Sequence, residues 1–163
     1  MKTLKKFSIF FTLYLFPLAF APVLPRGHLA FVFILFTVCL LFMNLGNLLS
    51  LWANIRYAAG MGQAPADLYR LAILRETDNP VAYLNYAVIL MKDGDFEGAL
   101  PHLKNARMLN TAMVTDQHIL SSTAHCYHGL GNTQQALSIL LDYRERYGTL
   151  NASDNALLQE LQA

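Results

Sequence analysis

The side chains with the most reactive chemistry in this sequence are imidazoles and hydroxyls within one helix-length segment. His118, His125 and His128 follow one another there, with Ser121 and Ser122 between them. A serine beside a histidine could act as nucleophile and base, but this chemistry also needs an orienting acid and an oxyanion donor. The segment supplies neither, and the chain has no phosphate-binding loop or dinucleotide fingerprint. The sequence therefore does not predict an enzyme.

The same histidines are candidate metal ligands. The ligands of one ion must converge to within about 2 Å of it. His125 and His128 could share an ion, whereas His118 lies roughly 10 Å away along a helix axis, and no acidic or cysteine ligand joins them in sequence. We therefore predict no metal and no cofactor. Three interpretations stay open: a metal- or pH-responsive regulator, recognition of a partner by neutral imidazole, and solvated histidines on an open face.

Charge divides the 163-residue chain into two parts. Residues 1–56 carry five basic residues and no acidic one, whereas residues 57–163 carry seven basic and eleven acidic residues, a net charge of −4. The first part has the composition of a membrane segment, and the second that of a small water-soluble domain. No basic patch occurs outside the N-terminal part, so nucleic acid is not an expected partner.

Two uncharged apolar runs predict a transmembrane hairpin over residues 1–56, with spans at about 7–24 and 29–53. The competing interpretation of the first run is a cleaved signal peptide ending at Ala21. Lys2, Lys5 and Lys6 favour a cytoplasmic N-terminus, and two crossings return the chain to the same side. We expect a multi-pass protein of the cell (inner) membrane that contacts the lipid bilayer, with residues 65–163 in the cytoplasm after a linker at 57–64.

A polar and small-residue stripe marks the lower half of the second apolar run. In lipid, such a stripe favours packing between helices through close backbone approach and hydrogen bonds of about 1 kcal/mol each. We predict packing with the first span or with another subunit, so a homo-oligomer is possible; the alternative is a position at the level of the lipid headgroups. The residues of the stripe are Asn44, Gly46, Asn47 and Ser50.

The second part of the chain has helical periodicity and no alternating pattern of strand character. Gly, Asn, Asp and Pro residues separate its apolar segments, as is typical of turns between helices. The predicted helices are 65–77, 80–92, 96–109, 116–129, 133–146 and 153–162.

Two stretches of this part repeat each other at an offset of 37 residues, which is a 34-residue period with a three-residue extension. Ala87, Gly94, Phe96, Ala99 and Ala106 form a pattern that resembles the tetratricopeptide repeat family. The second copy keeps Ala124, Gly131 and Ala136 but has Thr133 and Tyr143 at the other two positions, and a segment with Tyr69 and Ala72 resembles the second helix of a degenerate leading repeat. The resemblance implies an all-α fold with an α-solenoid of about two and a half repeats and a C-terminal capping helix.

The predicted helix 80–92, the first helix of the copy that matches the repeat pattern fully, has two apolar stripes. In the repeat family one stripe packs inside the domain, and the other faces a concave groove that holds peptides or partner helices. The resemblance therefore implies a partner-binding groove, which is aliphatic in one repeat and rich in imidazole and hydroxyl groups in the next. Its candidate residues are Val81, Leu84, Asn85, Val88, Met91 and Lys92 in one repeat and His118, Ser121, His125 and His128 in the other.

These features predict a non-enzymatic, membrane-anchored scaffold that holds protein subunits of a membrane complex. The layout of two spans followed by repeats also resembles the inner-membrane repeat component of Pel-type exopolysaccharide secretion systems. The alternatives are a transient assembly factor for a respiratory or envelope complex and a histidine-dependent metal- or pH-responsive regulator.

Overall fold

The computed structural model describes residues 31, 34–35, 37–38, 41–42, 44–60 and 64–162. All regular structure in these residues is α-helical, which confirms the predicted all-α class. The predicted span at 7–24, and part of the one at 29–53, lie outside the described residues. None of the helices in the described part of the chain combines the length and apolar character needed to span a membrane. The helices from residue 45 onward are α1 (Leu45–Ala58), α2 (Ala64–Leu74), α3 (Pro80–Lys92), α4 (Phe96–Leu109), α5 (Met113–Gly129), α6 (Thr133–Tyr147) and α7 (Ala152–Gln162).

The chain divides into two compact units, residues 1–45 and residues 46–163. This division differs from the predicted one, which ended the membrane part at residue 56 and placed a linker at 57–64. Helix α1 runs through the predicted boundary, and from Gly46 onward it belongs to the second unit.

Local signals in the sequence fix the ends of the central helices. The Asn79 side chain accepts a hydrogen bond from the Val81 amide and caps α3, whose first residue is Pro80. Asp95 caps α4 in the same way. Gly94 and Gly131 have positive φ angles of 82° and 73° in the turns that close the two helix pairs α3–α4 and α5–α6.

A third helix pair, α1–α2, precedes these two and follows the same pattern. Ala53, Gly60, Tyr69 and Ala72 each lie 34 residues before Ala87, Gly94, Leu103 and Ala106. The alanines of both sets are fully buried, and Gly60 has the same positive φ, 70°. Small residues at these positions let antiparallel helices approach closely. Helices α1 and α2 thus continue the 34-residue period of the two later pairs, and Gly60, in the segment predicted as a linker, lies just after the end of α1.

The opposite face of α1 is apolar and open. Its stripe of large side chains has helical spacing, and each of these side chains is about half exposed. Helix α1 therefore buries small and polar residues against the rest of the unit and exposes large apolar residues on its outer face. This is the reverse of an ordinary amphipathic helix. The residues of this outer stripe are Leu48, Leu51, Trp52 and Ile55.

Candidate partner-binding cleft

A cleft of about 430 Å³ lies on the side of the unit formed by the first helices of the three pairs. Helix α3 supplies half of its lining, α5 supplies most of the rest, and α1 contributes one ring. The lining residues are Tyr57, Val81, Leu84, Asn85, Val88, Thr115, His118 and Ser122. Five of the predicted groove residues are thus brought together: Val81, Leu84, Asn85, Val88 and His118.

The cleft combines an apolar floor with polar walls. Val81 and Val88 are half-buried, whereas Leu84 is only 7% exposed and belongs to the core beneath the cleft. Leu84 was predicted on an open stripe, but its side chain packs together with Ile119 of the neighbouring repeat in one buried cluster. The surface open to a partner is therefore narrower than the sequence indicated, because the middle of the stripe joins two repeats.

Asn85 and Tyr57 are held in place by neighbouring side chains. The Asn85 amide nitrogen donates to the Asn54 side-chain oxygen at 3.1 Å and to the Tyr69 hydroxyl at 2.9 Å. The Tyr57 ring lies edge-on to the Tyr69 ring, with 6.4 Å between centroids. A wall that is fixed before a partner arrives loses less conformational entropy on binding.

Met91 and Lys92, the other predicted groove residues of this helix, do not line the cleft. Met91 is half-buried against the core. The Lys92 ammonium lies 5.8 Å from the centroid of the Tyr57 ring, a cation–π contact at the end of α3. Lys92 therefore contacts Tyr57, a residue of the cleft wall, but does not itself line the cleft.

The histidine half of the predicted groove is divided among three surroundings. His118 lines the cleft, but Ser121 and His125 bind the carboxyl group of Asp154 on α7, through contacts of 2.7 and 3.0 Å to the same oxygen. His128 lies 3.8 Å from the Glu160 carboxylate on that helix. Helix α7 of the same chain thus contacts three of the four positions that were predicted to face a partner, which are Ser121, His125 and His128.

Asp154 provides the physical reason for this arrangement. Its side chain is 0% exposed, and a buried carboxyl group is costly unless its oxygens are hydrogen-bonded. Ser121 and His125 supply two contacts to one oxygen, and the Asn151 amide donates to the other at 2.7 Å. Nothing in the spacing of the histidines indicates that the partner of His125 lies 29 residues further along the chain.

The stripe predicted to pack between membrane helices is also used within the second unit. The Asn47 side-chain oxygen accepts from the Thr77 hydroxyl at 2.8 Å and from the Asp78 amide at 3.0 Å. The Asn79 amide nitrogen donates to the Ser50 hydroxyl at 3.2 Å. A methyl group on Gly46 would lie 2.5 Å from the Arg75 carbonyl oxygen, so glycine is required for this approach. Asn44, the remaining residue of the predicted stripe, is exposed and lies in the first unit.

Residues of the two predicted sets, together with Asn54, occupy equivalent positions in successive repeats. Adding 34 to Asn47, Ser50 and Asn54 gives Val81, Leu84 and Val88, and adding a further 37 gives His118, Ser121 and His125. In the first and third repeats most of these positions bind polar groups of the following repeat or helix, and in the second they are apolar. This surface therefore joins neighbouring repeats, and only part of it remains open as the cleft.

The thiol of Cys126 lies in the core between the second and third pairs. Its sulfur donates to the Phe96 carbonyl oxygen at 3.0 Å, and burial, reinforced by the negative charge of Asp95, raises its pKa to about 11. A protonated, buried thiol is neither a nucleophile nor a metal ligand. Among the residues that the structure describes, no group of three potential metal ligands comes together.

No protein-family model matches the chain, and no curated protein is significantly similar to it.

Proposed function

We propose that this protein is a membrane-anchored, non-enzymatic scaffold of tetratricopeptide-like repeats that holds a segment of a protein partner in its cleft. The observation that supports this most directly is the composition of the cleft. Residues from the first helix of all three pairs line it, and they place Val81 and Val88 beside Asn85, His118 and Ser122. A mixed apolar and hydrogen-bonding surface across several helices suits a peptide or helix of another protein.

The size of the cleft agrees with a modest anchoring site. Ligand sites typically enclose about 300–1,000 Å³, with predominantly apolar walls and a few fixed polar groups. At about 430 Å³ the cleft accepts two or three side chains of a partner rather than a whole domain. We expect one apolar side chain of the partner to contact Val81 and Val88, while a neighbouring polar group binds His118 or Ser122.

Membrane anchoring rests on the sequence that leads into the second unit. Residues 29–45 contain no charged side chain, and the described large apolar residues among them, such as Phe31, Ile34 and Phe42, are exposed. A run of this kind is stable in lipid and unfavourable in water. The partner would then be a subunit of a membrane complex, and exopolysaccharide secretion is one candidate machine because the layout resembles its repeat component.

The test is a substitution that fills the cleft without touching the core. Ser122→Arg places a long cation at a half-buried lining position, and Ser138→Arg makes the same change at an exposed position on α6. We expect affinity-purified Ser122→Arg protein to lose its co-purifying subunits and the Ser138→Arg protein to keep them, with equal helix content by circular dichroism. A folded Ser122→Arg protein that retains every partner would refute the proposal.

The same purification separates the scaffold from the alternative of an assembly factor. A structural subunit co-purifies at fixed stoichiometry with the mature complex after detergent extraction. An assembly factor is found only with precursors and disappears from the finished complex.

A further inference from the structure

Among the described residues of the second unit, the most exposed large apolar side chains lie at the ends of helices. Leu74 is the last residue of α2, Met108 lies near the end of α4, and Met113 and Val114 begin α5. Every other exposed large apolar residue that the structure describes in this unit is less open to solvent. The exposed fractions of the four residues at the helix ends are 70% for Leu74, 76% for Met108, 64% for Met113 and 63% for Val114.

These helix ends lie on one rim of the unit. Helices α3 and α4 are joined by a short turn and run antiparallel, so the end of α4 lies beside the start of α3. The end of α2 lies close to the same place, because residues 75–79 join it to the start of α3. Helix α5 begins after residues 110–112. The Tyr147 hydroxyl, at the end of α6, donates to the Asp116 carboxylate near the start of α5 at 2.6 Å. We call the rim formed by residues 75–79, 110–112 and 148–151 and the adjoining helix ends the loop rim.

The chain enters the unit at the same rim. Gly46 approaches the Arg75 carbonyl oxygen, and the Asn47 side chain binds Thr77 and Asp78. The residues that immediately precede Gly46 are the uncharged run 29–45. A membrane segment that ends at Gly46 therefore delivers the chain to the loop rim and not to the opposite one.

The opposite rim is unsuited to a membrane surface. It contains the turns at 93–95 and 130–132, and we call it the turn rim. Asp93, Asp95 and Glu97 lie there within five residues, with Lys92 as the neighbouring cation. The cytoplasmic surface of a membrane is negatively charged and would repel these acids. The loop rim also carries acids, Glu76, Asp78 and Asp116, but it combines them with Arg75, Arg107 and the exposed apolar residues.

We propose that the loop rim is a second membrane-contact surface, on which the repeat unit rests against the lipid headgroups and inserts Leu74, Met108, Met113 and Val114 into the edge of the hydrocarbon. The proposal rests on the membrane anchoring in the proposed function, and it adds an orientation. The first helices of the repeats run away from the bilayer, so the cleft opens sideways, parallel to the membrane plane. Side chains that would otherwise form an exposed apolar patch are covered by lipid.

The experiment uses the single tryptophan of the chain. In the full chain with Trp52→Phe, a new tryptophan is introduced by Met113→Trp or Leu74→Trp on the loop rim, or by Leu130→Trp on the turn rim as the matched control. Each protein is reconstituted into vesicles of plain lipid and of lipid with brominated acyl chains. Bromine quenches tryptophan fluorescence only on close approach.

We expect brominated lipid to remove most of the emission of both loop-rim reporters and to leave the Leu130→Trp emission unchanged. Equal emission of the loop-rim reporters in the two lipids would overturn the proposal, as would equal quenching at all three positions. Emission that depends on the ratio of protein to lipid, without quenching, would assign the rim to a second copy and would also overturn it. Alkaline carbonate extraction of the same vesicles separates the two ideas: an extracted chain refutes the anchoring itself, whereas a retained but unquenched chain refutes only the contact at the rim.

Discussion

Replacing Asn47 by leucine tests whether helix α1 belongs to the repeat unit or to the membrane. The Asn47 side-chain oxygen accepts hydrogen bonds from Thr77 and Asp78 in the loop before α3. Leucine is similar in size and favours the helix, but it accepts no hydrogen bond. The change therefore removes both bonds and leaves the largely buried Thr77 hydroxyl without this partner.

The expected cost follows from these two bonds. Each contributes about 1 kcal/mol net, and a stranded buried donor costs about 1–3 kcal/mol. We expect Asn47→Leu to destabilise the docking of α1 by about 2–4 kcal/mol. At 1.36 kcal/mol for each factor of ten, this increases the opening equilibrium of the loop roughly 30- to 900-fold.

Hydrogen exchange of the full chain in detergent, read by mass spectrometry on peptides that cover residues 75–92, measures this opening. The matched control is Asn105→Leu, the same substitution at an exposed position of α4, which we expect to change the free energy of opening by less than about 0.5 kcal/mol. Unchanged protection of these peptides in Asn47→Leu would refute the docking and return Asn47 to a role between membrane helices.

Two further predictions concern the third repeat. Asp154→Asn replaces a carboxyl group that makes three contacts by an amide whose nitrogen faces donors, so we expect α7 to lose about 2–3 kcal/mol of protection against hydrogen exchange. The control, Asp142→Asn at a partly exposed position, should lose less than about 1 kcal/mol. Equal protection in the two variants would contradict the role of the buried carboxyl group. Because the pKa of Cys126 is raised to about 11, we expect about 0.1% of this thiol to be thiolate at pH 8, against about a quarter for an ordinary cysteine. In the Cys39→Ser protein, alkylation of Cys126 should therefore be at least about 100-fold slower in the folded state than in denaturant. Equal rates in the two conditions would contradict the burial of the thiol.

The central helices could be predicted because their signals are local. The structure confirms 80–92 and 96–109 as helices with the same bounds, and it ends α5 at Gly129 as expected. Pro80 and Asn79 start α3, and glycines with positive φ close the turns. Helix α5 begins earlier than predicted, at Met113 rather than at residue 116.

The leading repeat could have been found in the sequence but was hidden by hydropathy. Ala53, Gly60 and Ala72 stand at the period of 34, yet the apolar outer face of α1 continues the preceding uncharged run and reads as one membrane segment. Hydropathy therefore predicts partners in lipid for the polar residues of α1, whereas their partners are groups of the repeat unit. The sequence carries the period, but it does not show which face of a helix is buried.

The contacts of α7 could not have been predicted from spacing. The sequence predicts the groove positions of the third repeat on α5 alone, but the residue that binds two of them, Asp154, lies on another helix. Whether such a face stays open depends on whether a later segment carries a group that binds it. One oxygen of the Asp154 carboxyl group contacts both Ser121 and His125 and so joins α7 to this face.

The docking of α1 determines where the chain can be shortened for biochemical work. A fragment that starts at residue 57, where the charge composition changes, would lack Asn54 and so leave the Tyr69 hydroxyl without its acceptor. It would also expose the surfaces of α2 and α3 that α1 covers, and it would remove the part of α1 beside the cleft. A fragment that starts at Gly46 keeps the whole first repeat, but it also keeps the exposed apolar stripe of Leu48, Leu51, Trp52 and Ile55. Serine substitutions at those four positions, rather than a later start, are the way to a fragment that stays in solution.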